Sequence, residues 1–361
     1  MNRTLDERLA ARTLELVDIA SQSNDEAHIA GHVYALLEEA GVTVRDGGDN
    51  CVIAGAAEPS GRPLVLLAGH FDTVPQQGNR PGHRDANSIY GLGASDMKGA
   101  LAVMIELAIE RSAAQDTPRL DVGYVFFGRE ELPFKDSALG PLLEREPGLR
   151  AADLAIVMEP TSNIVQAGCL GNLNATWTFR GRSGHSARPW LADNALHRAA
   201  KGVSALADIA PIEHVSEGLT YTEVVSVTQL SGGIARNVIP ESATAHVNYR
   251  YPPGMTSSDA ERKLHELCDP HGELAIDGNA PSGPVPQGNV LATRLLSLSG
   301  AALEPKQAWT PVAEFALAGV EAVNFGPGDP SQAHARDEHI RVAALARSYE
   351  VLSALLGAAP S

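Results

Sequence analysis

Five short segments of this 361-residue chain carry side chains that bind divalent metals: Gly69-His70-Phe71-Asp72, Ser95-Asp96-Met97-Lys98-Gly99, Arg129-Glu130-Glu131, Met158-Glu159-Pro160 and Ala333-His334-Ala335. Imidazole nitrogen and carboxylate oxygen are ligands for zinc, cobalt and manganese. Gathering ionisable groups from scattered positions into one interior place costs free energy unless something compensates them, so their convergence points to chemistry. Two bound ions support attack of an activated water on a carbonyl. Taken singly, an Asp-Met-Lys-Gly string or a Glu-Glu pair reads as a solvated helix start or loop. The order of all five against the secondary structure favours a site.

The elements that must position them are legible as apolar runs. Leu64 to Ala68 reads as a buried strand, and His70 and Asp72 follow at a spacing of two, which turns both side chains to one side of an extended backbone. Asp121 to Phe127 reads likewise and delivers Glu130 and Glu131, while Ala152 to Met158 delivers Glu159, with Pro160 ending the strand. Met97 to Ile109 has helical spacing, so Asp96 is expected at a helix start, where amide dipoles favour negative charge. Glu321 to Phe325 is a last strand, followed by the turn Gly326-Pro327-Gly328-Asp329-Pro330 and then His334. In open α/β sheets, ligands collect at the carboxyl ends of the strands.

Composition sets limits. With 44% hydrophobic and 20% charged residues, the chain has the balance of a globular protein large enough for one larger and one smaller domain. A net charge of -16 and no Lys/Arg cluster argue against nucleic acid or an anionic membrane as partner. No apolar stretch approaches a membrane span, and Met1 to Leu16 is too charged for a signal peptide, so a cytoplasmic location is expected. Cys51, Cys169 and Cys268 are too few and scattered for a disulfide framework and read as buried thiols.

After Cys169-Leu170-Gly171 the pattern changes to a strand (172–179), a helix (194–207), two strands (222–230 and 242–251), a helix (257–267) and a short strand (273–276). That order is β-α-β-β-α-β, a split βαβ sandwich. A Gly/Pro/Ser-rich linker around 278–286 precedes the return of the α/β pattern. The expected organisation is a discontinuous α/β catalytic domain, 1–171 and 285–361, with 172–284 inserted. Two short linkers permit hinge motion.

The set His70-Phe71-Asp72, Asp96, Glu130-Glu131, Glu159 and His334 resembles the ligand pattern of the di-zinc aminoacylase and carboxypeptidase family over nearly the whole chain. The resemblance implies a zinc-peptidase-like α/β catalytic domain with a ferredoxin-like lid and dimerisation domain. The strings Gly184-His185-Ser186-Ala187-Arg188, Trp190 to His197, Asn237-Val238-Ile239-Pro240-Glu241, Val247-Asn248-Tyr249-Arg250-Tyr251 and Val323 to Pro330 resemble that family's actinobacterial succinyl-diaminopimelate desuccinylase branch. One departure is Ala308-Trp309-Thr310-Pro311-Val312-Ala313-Glu314, which lacks the Thr-Ser-Asp string of the proteobacterial desuccinylases.

The resemblance implies two Zn²⁺, replaceable by Co²⁺ or Mn²⁺: one held by His70, Asp96 and Glu159, the other by Asp96, Glu131 and His334, with Asp96 bridging. It makes Asp72 the partner of the other His70 ring nitrogen, Glu130 the general base, and His185 with Asn237 the pair that stabilises the oxyanion, His185 reaching the neighbouring subunit's site. Arg250, Arg188 and Thr310 become candidates for substrate carboxylates, and the chain a cytoplasmic homodimer that hydrolyses N-succinyl-LL-2,6-diaminopimelate. An acetylornithine-type deacetylase and a dipeptidase are the alternatives on the same scaffold, and a binding protein that lost the reaction is a more distant one. An unligated Glu130 beside intact ligands speaks against that last reading.

Other residues carry less. His28 and His32 have i,i+4 spacing but lie on an ordinary surface helix pattern, and His83 and His339 read as solvated or packed. Gly91-Leu92-Gly93 lacks the rest of a dinucleotide fingerprint. Nothing near Cys169 in the sequence would activate it as a nucleophile.

Overall fold

Four apolar runs lie side by side as parallel strands in the order Asp121–Phe127, Leu64–His70, Leu154–Val157, Ala322–Asn324. They form the middle of an eight-stranded sheet in a computed structural model that describes residues 3–114 and 118–357. Every residue of these strands is buried, as parallel strands covered on both faces must be. Antiparallel strands Val44–Gly48 and Cys51–Gly55 extend one side, and Gln166–Ala167 extends the other. Register aligns the carboxyl ends: His70 pairs with Phe127, while Ala68 and Asn324 both pair with Val157.

The helix Gly99–Ala113 is buried along most of its length and packs against Leu5–Asp18 and Val342–Leu356, which is why it is apolar all round rather than striped. It starts at Gly99, two residues later than its periodicity suggests. Asp96 and Met97 have non-helical dihedrals (φ -125° and -134°), and the Asp96–Met97 peptide is cis. Asp96 therefore does not sit on the first amides of the helix, and the dipole argument for its placement is replaced by a specific anchor described below.

The chain divides into two units. One comprises residues up to Gly168, Val285–Glu304 and the chain from Thr310 onward; the other comprises Cys169–Pro284 with Pro305–Trp309. The short second visit differs from the single return expected at 285. It has local causes: Leu170 N–H donates to the Ala308 carbonyl (3.1 Å), the Gln307 side chain bonds both backbone groups of Thr222 (3.0 and 2.6 Å), and Trp309 Nε1 donates to Pro281 O (3.1 Å).

The second unit is a five-stranded antiparallel sheet in the order Ile212–Ser216, Leu219–Gly232, Ser242–Tyr251, Gly171–Arg180, Glu273–Ala280, with helices Ala195–Ala207 and Ser257–Cys268 packed on it. Without its first strand this is the β-α-β-β-α-β sandwich. Alternation decides the faces: Leu173, Ala175, Trp177 and Phe179 join Val247, Tyr249 and Tyr251 in the core, while Asn172, Asn174, Asn248 and Arg250 fall on the other face. The added strand Ile212–Ser216 closes a hairpin through Glu217 and Gly218, both at positive φ (49° and 81°), as a two-residue turn of this hand needs.

No helix among the described residues is long and apolar enough to cross a membrane. Cys51, Cys169 and Cys268 are buried and unbridged.

Glu314 is 3% exposed. Its Oε1 accepts from Ser137 Oγ (2.8 Å) and Gly140 N–H (3.0 Å), whereas Oε2 has no hydrogen-bond partner among the described residues. Burial pushes its carboxyl up to about 7. The unfolded chain loses this proton near pH 4.5 and the folded chain keeps it to about pH 7, so stability falls as pH rises through that window, by roughly 3 kcal/mol in total. Glu314→Gln keeps the accepting oxygen and removes the titration. The variant is expected to match the wild type in urea unfolding at pH 5 and to exceed it by about 2 kcal/mol at pH 8; equal stabilities at pH 8 would contradict the assignment.

Candidate metal centre

The four parallel strands each place a candidate ligand at or beyond their carboxyl ends. His70 is the last residue of its strand, Glu130 and Glu131 follow Phe127, Glu159 follows Val157, and His334 follows Asn324 after the Gly326–Pro330 turn. That turn fits closely. A Cβ at Gly326 would lie 2.2 Å from the Met158 carbonyl oxygen and one at Gly328 2.2 Å from that of Ser95, so only glycine lets it approach both ligand-bearing segments. Thr161 Oγ1 and the N–H groups of Ser162 and Asn163 then fasten it.

His70, Asp96 and Glu159 form one group of ligand atoms that all lie within 4.8 Å of one another, and Asp96, Glu131 and His334 form a second. The two oxygens of Asp96 divide between them. Oδ1 is 3.3 Å from His70 Nε2, and Oδ2 is 3.7 Å from His334 Nε2. His70 Nε2 lies 3.7 Å from Glu159 Oε1, and His334 Nε2 lies 3.0 Å from the Glu131 carboxylate. Ligands of a tetrahedral zinc at ~2.0–2.1 Å are about 3.3 Å apart, so the donor set and its spacing fit two ions sharing Asp96.

Electrostatics agree. Burial, and then the charge of Glu159, hold the Glu130 carboxyl well above its ordinary range. The bond to Glu131 raises His334 to about 9. Burial opposes charge on His70, but its bonds to Asp72 and Asp96 outweigh that and hold it well above the ordinary value. With protein groups alone, the surplus of carboxylates draws in protons; divalent cations answer the same surplus and displace them.

Asp72 is fully buried and does more than the sequence suggests. His70 Nδ1 is nearer the Asp72 backbone oxygen (3.0 Å) than its carboxylate (3.5 Å). The carboxylate also accepts the N–H groups of Glu130 (3.0 Å) and Glu131 (3.1 Å) and the hydroxyl of Ser23 (2.8 Å). One side chain thus orients both Glu131 and its neighbour Glu130. Arg129, at φ 60°, grips Asp49 with both terminal nitrogens and the Asp136 carbonyl with Nε (2.7 Å), fixing the bend in which Glu130 stands.

Glu338 was not legible as part of this centre. It is 2% exposed, and its carboxylate accepts the backbone N–H groups of Gly93 (2.8 Å), Ser95 (2.8 Å) and Asp96 (2.9 Å). Asp96, the residue shared by the two candidate groups, is therefore held from behind through its own amide.

The other candidates belong to other elements of the chain. Thr310 is buried ahead of the helix Val312–Leu317. In the second unit, Gly184–His185 pairs with Val238–Ile239, which brings His185 beside Asn237; Ser186 N–H donates to Asn237 O (3.0 Å) and Arg188 N–H to His185 O (2.8 Å). His185 Nδ1 accepts from Ala187 N–H (3.0 Å), so in the neutral ring the proton sits on Nε2. Arg250 lies on the five-stranded sheet. His83 and His339 stack on the two sides of the Tyr90 pairing, away from any ligand group, and His32 pairs with Glu15.

Glu338→Gln leaves one N–H of the Gly93–Asp96 loop facing an amide donor. The variant is expected to bind metal 10- to 100-fold more weakly, read by titrating the metal-free protein and measuring bound ions; unchanged affinity would show that the anchor does not set the position of Asp96.

Residues 66–358 match the model of Peptidase family M20/M25/M40. A Mycobacterium tuberculosis relative is 36% identical over 96% of this chain and 97% of its own. A Corynebacterium glutamicum protein named succinyl-diaminopimelate desuccinylase is 34% identical over 91% of each chain. Among solved structures, a Staphylococcus aureus tripeptidase aligns over 97% of both chains with a TM-score of 0.78 at 18% identity. A Bacillus subtilis protein described as a dinuclear metal binding peptidase of the M20 family aligns over 97% of both with a TM-score of 0.69 at 16%. Likeness at that level speaks for the fold. On the family match and the relatives together, this chain belongs to peptidase family M20/M25/M40.

Proposed function

We propose that this protein is a zinc-dependent amidohydrolase that cleaves N-succinyl-LL-2,6-diaminopimelate to succinate and LL-2,6-diaminopimelate. The observation that carries the chemistry is the division of the two Asp96 oxygens between two ligand groups, with the Glu130 carboxylate close by in a third group with His70 and Glu131 and read here as the base. Support for the substrate comes from the relative that bears this activity in its name and spans the same length.

His70, Asp96 and Glu159 would hold one ion and Asp96, Glu131 and His334 the other, with cobalt or manganese as substitutes for zinc. Two such ions lower the pKa of the attacking water and polarise the amide carbonyl. Glu130 takes a proton from that water as its oxygen bonds to the carbonyl carbon. The C–N bond then breaks, and Glu130 returns the proton to the leaving amine. His185, with its proton on Nε2, and Asn237 donate to the oxyanion. Arg250 takes the carboxylate of the succinyl group, with Arg188 and Thr310 as further contacts to substrate carboxylates.

We read the chain as a cytoplasmic homodimer joined through the second unit. Its edge strand Ile212–Ser216 exposes Ile212 (41%) and Val215 (76%), and its buried, unbridged thiols suit a reducing compartment.

Glu130→Gln is expected to keep both metals and lose at least ~100-fold in kcat, measured as succinate release alongside metal content. Near-normal turnover would remove Glu130 from the reaction. Asp96→Asn is expected to lose metal as well as rate. In a panel of N-acyl diamino acids, rapid hydrolysis of acetylornithine with none of the succinyl substrate would overturn the substrate assignment.

A further inference from the structure

Four polar residues occupy one face of the second unit's sheet: Asn172 and Asn174 on the strand Gly171–Arg180, Asn248 and Arg250 on Ser242–Tyr251. Register sets Asn248 opposite Asn174 and Arg250 opposite Asn172. The Asn248 amide nitrogen donates to the side-chain oxygens of both Asn172 and Asn174 (2.8 Å each), and its oxygen accepts from Arg250 Nε (2.9 Å). Only one orientation of each amide satisfies this chain, because Arg250 can only donate. Asn248 must turn its oxygen to the arginine, and the other two must turn theirs to Asn248.

The arginine at the end of the ladder has its charge unanswered. It is partly buried, burial lowers its pKa, and no Asp or Glu among the described residues pairs with it. Withdrawing a guanidinium from water without a carboxylate costs free energy, and a ligand carboxylate would offset that cost. A guanidinium can bind a carboxylate bidentately through its Nε/Nη2 edge or through its two terminal nitrogens. Asn248 occupies Nε, so only the terminal fork remains.

We propose that Asn248, braced by Asn172 and Asn174, is a positioning residue that selects acyl groups ending in a carboxylate: it holds Arg250 so that the terminal fork alone receives that carboxylate. This rests on the reading of Arg250 as the succinyl group's partner. Asn248 itself touches neither substrate nor metal, so its effect falls on recognition of the acyl carboxylate and not on bond cleavage.

The test compares the succinyl substrate with its N-acetyl analogue, which has the same amide and no acyl carboxylate. In Asn248→Ala, KM for the succinyl substrate is expected to rise about 10-fold, the loss of one charge-assisted hydrogen bond, with kcat within about twofold and acetyl KM unchanged. Asn248→Asp is the more telling variant. It still accepts from Nε but neutralises the arginine, so it is expected to raise succinyl KM further than alanine does. A merely structural asparagine would shift the KM of both substrates alike, because aspartate also loses the two bonds that the amide nitrogen donates to Asn172 and Asn174. Asn174→Ala removes one brace and is expected to give a smaller shift of the same selectivity; melting temperatures of all variants separate misfolding from misrecognition. Equal KM changes for both substrates, or wild-type succinyl KM in the aspartate variant, would overturn the role of Asn248. If Arg250→Ala affected both substrates alike, the carboxylate reading of Arg250 would fail instead, and the proposal with it.

Discussion

The centre depends on keeping one carboxylate, Asp96, with an oxygen turned to each of two ligand groups. A side chain with two free torsions would not hold that pose by itself against neighbours that are also negative. Its backbone is held instead. The Glu338 carboxylate takes three loop amides, those of Gly93, Ser95 and Asp96, and the Gly328 turn presses against the carbonyl of Ser95. Asp72 does the equivalent for the opposite side by accepting the amides of Glu130 and Glu131. Both anchors are carboxylates that bind backbone N–H groups, so they add negative charge to a region already rich in it. That choice makes sense where cations are to be bound, since it deepens the local potential while fixing the geometry.

Much of this was readable in the chain, and the unreadable parts share a cause. Buried parallel strands are continuous apolar runs, so Leu64–His70 and Asp121–Phe127 announce both themselves and the ligands after them. The inserted sandwich was equally plain, because one-sided strands alternate and its helices are striped. Glu338 was opaque: it acts through backbone amides 242 residues away from its own position, and backbone amides carry no sequence signature. The start of the helix at Gly99 was misjudged because Met97 fits the apolar period while its backbone is extended. The strand Ile212–Ser216 escaped since an exposed edge shows no burial pattern, and Pro305–Trp309 because its attachment to the second unit is made by single side chains and not by a periodic face.

The two units answer opposite electrostatic problems. In the first, carboxylates converge until they draw in positive charge. In the second, the Asn172–Asn174–Asn248 ladder ends on an arginine with no carboxylate partner among the described residues, which asks for negative charge. The substrate proposed above carries a group for each: an amide to be cleaved and a carboxylate at the end of its acyl chain. On the proposed function the chemistry and the selectivity are separable, because bound ions and Glu130 would act on any amide carbonyl while the arginine would read the acyl carboxylate. A family that holds this metal arrangement constant can therefore change its substrates by altering one face of one small sheet, at positions where alternation already keeps the side chains out of the core. Trp177 and Tyr249 fill that core from the same two strands, so residues 174 and 248 can vary without disturbing the packing that holds the sheet together.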